Sequence, residues 1–329
     1  MWRINNRTPY AAKAGFFRDP TGAPHWLIAV RASFELDPEH NLVLATEQAP
    51  PLLAPQYARQ PHRSSLQYDT DVGPLKPTSE VLVHGSAYAP NGEPTTQVDV
   101  ALKLGPIHKQ LTVFGERHYR PSPEPLATGQ AATFTRCSIC YENAYGGTDN
   151  GQREARNPVG RGFALNPSDR AGTPAHRIEY TASTTQAPQP AGLGPIPSHW
   201  QPRIAQAGTF DEQWHKTKRP LLPDDYNPRS TLCAPADQQL PGYLQGGEEL
   251  QLDNMTPDGQ LRITIPRLRI HCTTQLKGRR QAQPSHLTTL IVEPDRTRVA
   301  LVWQSSLCVP ARDLEDIEET LVQATEDAS

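Results

Sequence analysis

The chain has 329 residues, 36% of them apolar and 20% charged, with a formal net charge of −3. A chain of this size hides about three quarters of the surface it exposes when unfolded, so its core needs neither disulfide nor metal. The longest unbroken apolar runs are five residues, Trp26 to Val30 and Val299 to Trp303, against the ~20 that a helical membrane span requires. The first residues, Met1 to Arg7, lack a hydrophobic signal core, and the expectation is a soluble cytoplasmic protein that is not exported by the Sec route. Proline is in excess, at 34 residues, which disfavours an all-helical fold because each proline lacks a donor and clashes with the preceding turn. Five cysteines, an odd number, fit reduced thiols. The charge is not gathered into the basic footprint that nucleic-acid binding needs.

In chain order, Trp26 to Leu36 reads as a long strand. Val98, Val100, Leu102 and Leu104 alternate with Asp99, Ala101 and Lys103, a period of two that places one face on a core. Glu80 to Tyr88 and Leu111 to Phe114 carry the same signal, and Asn91-Gly92 is a turn signal, so an antiparallel meander from Val81 to Gly115 is expected. From Pro121 to Pro241 regular patterning stops. Sixteen prolines fall there, interspersed with Tyr141, Tyr145, Phe163, Trp200, Phe210, Trp214 and Tyr226. This composition predicts ordered irregular chain anchored by aromatics, with strand-like runs at Phe134 to Tyr141 and Arg177 to Tyr180. One short helix is expected near Asp211 to Lys218. Strands return at Leu261 to Ile265, Leu268 to Cys272, His286 to Glu293 and Arg298 to Val309. An acidic helix over 311–325 is expected to close the chain: Pro310 precedes it, and Leu314, Ile317, Leu321 and Ala324 fall on one stripe. The fold class that follows is mainly β, antiparallel and sandwich-like or barrel-like, over a single domain spanning 1–329.

No nucleophile elbow, zinc helix or phosphate loop is present. Cys137 and Cys140 have zinc-ligand or redox spacing but no second pair, and core thiols are the expectation, with no metal and no cofactor. His84 sits within a strand pattern and lacks a nucleophile to act upon. Glu142, Asp149, Asp211, Asp224, Asp225 and Asp237 offer carboxylates, and Arg117, Arg161 and Arg229 are their natural ion-pair partners. Such pairs would pin the irregular chain to the sheet, because a buried arginine without its acid is costly. Lys277 to Arg280 reads as a solvated basic turn.

Nine segments form an ordered set: Ser65 to Asp71 with Lys76-Pro77; Val83 to Pro90; Val113 to Arg117; Tyr141 to Gly147; Asn157 to Phe163; Ala207 to Trp214; Arg219 to Tyr226; Ala234 to Gln239; and Gly246 to Glu248. Together they resemble the bacterial domain-of-unknown-function family of type VI secretion accessory proteins, or effector adaptors, from about Trp2 to Leu268. Two departures stand out: Asn143 where the family more often has arginine, and Tyr226-Asn227 where it has phenylalanine-aspartate. The resemblance implies a non-enzymatic cytoplasmic adaptor that binds a toxic effector protein and helps load it onto a spike of VgrG and PAAR proteins. The implied effector-binding candidates are Tyr141, Glu142, Tyr145, Gly146, Gly147, Arg161, Phe163 and Trp214; Arg117, Asp211, Asp225, Arg229 and Asp237 are the structural ion-pair candidates. Neither nucleic acid nor membrane is an expected partner. Two alternatives remain open: a hydrolase with a carboxylate pair drawn from Glu142, Asp211 and Asp225, and a small-ligand or glycan-binding β module.

Overall fold

A computed structural model describes residues 2–121, 127–181 and 188–326. Three β-sheets share one apolar core, and the fold is mainly β with few short helices. The largest sheet runs in the spatial order Ala11–Arg18, Pro24–Leu36, Arg298–Cys308, Ser285–Glu293, Glu80–Val83, with Leu42–Leu44 paired to the far end of Pro24–Leu36. Pro24–Leu36 is buried along nearly its whole length, as a central strand covered on both faces should be. A second, fully antiparallel sheet orders Ile178–Tyr180, Ile107–Phe114, Gln97–Leu104, Glu249–Asp253 and Gln260–Thr264. The third orders Arg3–Asn6, Ile317–Glu326, Leu268–Leu276 and Arg279–Gln283. Trp26 and Val30 from the first sheet, Val100 and Leu102 from the second, and Ile270 and Val322 from the third belong to one buried cluster.

The predicted meander is half present. Gln97–Leu104 and Ile107–Phe114 do form a hairpin, and Asn91 and Gly92 do turn the chain with positive φ. The run Glu80 to Tyr88, however, is split between two sheets. Glu80–Val83 lies parallel to Ser285–Glu293, while Ser86–Tyr88 pairs with Arg136–Ser138. Alternation records that a strand has a buried face and carries no information about its neighbour, and here the neighbour is some 200 residues away.

The predicted C-terminal helix is a correction. Ala311–Asp316 is a 3-10 turn and Ile317–Glu326 is a strand, antiparallel to Leu268–Leu276 and parallel to Arg3–Asn6. Ile317, Thr320 and Val322 are buried, and β-branched residues favour the pleated arrangement over a helix. Acids of this stretch are tied to neighbouring chain: Asp313 and Asp316 pair with Lys277, and Glu319 with Arg3.

The proline-rich middle is ordered chain within its described residues; 122–126 and 182–187 lie outside them. Tyr141, Tyr145 and Trp200 are buried anchors. Phe210 is not: it is 54% exposed, resting edge-on against Trp214. The predicted short helix is Glu212–Thr217, capped by the Asp211 carboxylate, which accepts from the Trp214 amide at 2.8 Å.

Candidate functional site

Six of the eight effector-binding candidates line two clefts. The first, about 560 Å³, is lined by Ser65 to Gln67, His84, Cys140 to Asn143, Arg161, Gly192 to Gly194 and Glu293 with Arg296. The second, about 640 Å³, is lined by Glu116, Gly146 to Asp149, Gly160 to Ala164 and Asp169 with Arg170. Arg161 lines both, so the clefts share a wall. Trp214 stands apart, its indole N–H donating to Leu221 O at 2.9 Å on the lobe of Glu212–Thr217.

The wall between the clefts is a parallel pairing of Tyr145 with Arg161 and Gly146 with Gly162. It is held from beneath by Asn157, fully buried, whose Nδ2 donates to Tyr141 O at 2.8 Å and to Tyr145 O at 2.9 Å. At Gly162 the backbone has φ +95, and a Cβ there would overlap the Tyr119 hydroxyl. These glycines are therefore required by close approach, and Tyr145 is buried with its ring edge against His176. Tyr141, Arg161 and Phe163 are the side chains that the loops bring to the clefts, together with Glu142.

The first cleft is rich in charge that is already committed. Glu142 accepts from the Ser65 amide at 2.8 Å and from the Ser65 hydroxyl at 2.9 Å. Glu293 accepts from the Tyr68 hydroxyl at 2.6 Å and from Arg296 at 3.2 Å. Asp295 accepts from Ser86 and Arg136, both at 2.7 Å, and from Tyr88 at 2.8 Å. Arg161 donates to Glu116 at 3.1 Å. Burial pushes the His84 imidazole down to about 4, only partly opposed by Glu293. Burial, reinforced by Glu142, pushes the Cys140 thiol up to about 11. At neutral pH the histidine is therefore uncharged and a weak base, and the thiol is protonated.

Of the five ion-pair candidates, Arg117 and Asp237 form ion pairs, with partners other than those expected, and among the described residues Arg229, Asp211 and Asp225 form none. Arg117 pairs with Glu179 and lies 3.8 Å over the Phe114 ring. Burial alone would raise the Glu179 carboxyl, but His176 and Arg117 hold it down at about 2. Arg229 meets the Gln239 amide at 2.9 Å in place of an acid, and Asp237 pairs with the buried Lys109 at 2.9 Å. Asp225 is tied to the amide and hydroxyl of Thr209. Asp211 and Asp225 are exposed on the lobe of Glu212–Thr217, whereas Glu142 lines the first cleft. Asn143, at the position of the first family departure, donates to Ser138 O at 2.9 Å; Asn227, at the second, caps the turn Pro228–Thr231 through the Arg229 amide.

The residues missed by sequence reading are mostly polar and buried. Asp69 pairs with Arg203 at 2.6 Å and Asp71 with Arg31 at 3.0 Å. Lys76 pairs with Glu80 at 2.6 Å. Ser65, Tyr68, Asp69 and Asp71 thus each pin this segment to a different part of the fold. Their residue types were visible in the sequence; their partners were not. Cys308 is exposed, unlike the core thiol expected, and all five cysteines are free. Among the described residues no group of three or more His, Cys, Asp or Glu is placed to hold a metal ion, and no helix is long and apolar enough to cross a membrane.

The fold and its paired clefts define a β-rich protein whose surface recess is built by irregular loops locked through buried ion pairs. The chain belongs to the bacterial family described as "Uncharacterized protein conserved in bacteria (DUF2169)", whose profile matches residues 21–304. The match therefore starts later than the resemblance drawn from the nine segments and extends beyond Leu268. No curated protein and no solved structure matches the chain.

Proposed function

We propose that this protein is a non-catalytic adaptor that grips a toxic effector of the type VI secretion system and hands it to the VgrG and PAAR proteins of the spike. The carrying observation is that segments of the resemblance, Ser65 to Gln67, Tyr141 to Gly147 and Gly160 to Phe163, converge on two clefts sharing Arg161. The glycine-rich wall is tied down by Asn157 and the cleft acids are already bonded, which supports recognition over acid–base chemistry: a pre-formed recess binds without a large ordering cost. An extended effector segment lying across Arg161 would touch both clefts, with Phe163 as an aromatic contact.

The test is co-purification with the product of a neighbouring effector gene, together with effector abundance and spike loading in a deletion strain. Capture of the effector and its loss from the spike on deletion are expected. Unchanged effector stability and loading in that strain would remove the reading.

A further inference from the structure

Among the described residues, the first cleft keeps donors that are not spent on its own acids. Its three carboxylates, Glu142, Glu293 and Asp295, are all engaged by internal donors. Of its three arginines, Arg161 and Arg296 are held by Glu116 and Glu293. Arg59, exposed on the rim, makes no side-chain hydrogen bond or ion pair. On the wall, His84 Nε2 is hidden from solvent and has no hydrogen-bond partner; the ring rests edge-on against Tyr68 at 5.4 Å. The amides of Gly192 and Gly194, which line the same cleft, donate to no other group of the described chain. A buried amide left unpaired is costly, so a ligand able to accept from it recovers that cost.

We propose that the first cleft is a carboxylate-binding site, in which Arg59 pairs with an acidic group carried by an extended peptide beside the unspent amides of Gly192 and Gly194. A free guanidinium and unspent backbone amides are donors, and the anion that peptides supply is the carboxylate. A lysine-bearing segment fits poorly, because the cleft's acids already hold internal donors and Arg59 would repel it. The carboxylate comes from an aspartate or glutamate side chain or from a free chain terminus; both share this chemistry. That the peptide belongs to an effector rests on the adaptor reading above, whereas the carboxylate site does not.

The experiment uses the full chain with isotope-labelled histidine, observing the His84 ring by NMR, its signal assigned by its loss in His84→Gln. Three probes are titrated: N-acetyl-glutamate N-methylamide for the side-chain source, N-acetyl-alanyl-glycine for the chain terminus, and N-acetyl-glutamine N-methylamide as the neutral control. At least one carboxylate probe should shift the His84 signal saturably and raise its apparent pKa toward the ordinary histidine value, since an adjacent anion favours the charged ring. The probe that does so identifies the source. Arg59→Gln, at an exposed position that leaves folding intact, should weaken that binding about tenfold. Equal shifts from the glutamine control, no saturable shift from either carboxylate probe, or unchanged affinity in Arg59→Gln would overturn the site. If Arg59→Gln still co-purifies the effector at wild-type yield while the probes fail, the site falls and the adaptor reading stands; probe binding without effector capture has the opposite meaning.

Discussion

Replacing Glu80 by glutamine should be among the most destabilising single changes available to this protein. Glu80 and Lys76 are buried, their side chains 0% and 6% exposed. The Glu80 carboxylate accepts from Lys76 Nζ at 2.6 Å, from the Ala234 amide at 2.7 Å and from Cys233 Sγ at 3.3 Å. Lys76 Nζ has one further partner, the Thr289 hydroxyl at 2.7 Å. Burial on its own would push the lysine pKa down, but Glu80, helped by Cys233 and Asp69, holds it above its ordinary value. The stabilisation from this raised pKa is complete below the unfolded lysine value and is lost only as pH climbs through the higher folded one. A measurement at pH 7 therefore reads the intact pair. Glu80→Gln leaves a buried ammonium uncompensated, a loss of about 3–5 kcal/mol, whereas removing both charges together costs much less. Urea unfolding of Glu80→Gln, Lys76→Met and the double variant forms a mutant cycle, and the coupling should be about 2 kcal/mol or more. Additive effects, or a Glu80→Gln variant within about 1 kcal/mol of wild type, would refute the view that this pair is locked away from water.

Two further outcomes follow from the site. Gly162→Ala, whose Cβ would overlap the Tyr119 hydroxyl and lie 2.7 Å from Cζ, should cost about 2–4 kcal/mol through overpacking and an unfavourable φ; in the background of Tyr119→Phe, part of that loss should return in chemical denaturation. His84 has a folded pKa depressed to about 4 from 6.5, so its contribution is present above pH 6.5 and fades as pH falls through 4, on the order of 3 kcal/mol in all. His84→Gln should flatten the stability–pH profile in that window, and an unchanged slope would show that the ring is solvated in the native state.

Much of the protein is legible in its residues alone. The alternation of Val98, Val100, Leu102 and Leu104, the long apolar run after Trp26, and Asp211 placed three residues before Trp214 are local signals. Local steric and capping preferences act over a few residues and survive whatever the rest of the chain does. The mainly β class follows from them and from the prolines. Pairing is different, because a strand's edge accepts any neighbour of suitable length. Glu80–Val83 lies beside Ser285–Glu293, and Ile317–Glu326 became a strand because Arg3–Asn6 and Leu268–Leu276 left a gap that its β-branched residues fill. The apolar stripe from Leu314 to Ala324 suited a helix equally well in isolation. The first cleft is likewise a product of distance: Arg59, His84, Glu142, Arg161, Gly194 and Arg296 come from six separate stretches of chain. Their individual chemistry was readable residue by residue, but which donors would stay unpaired depended on which acids the fold brought within reach.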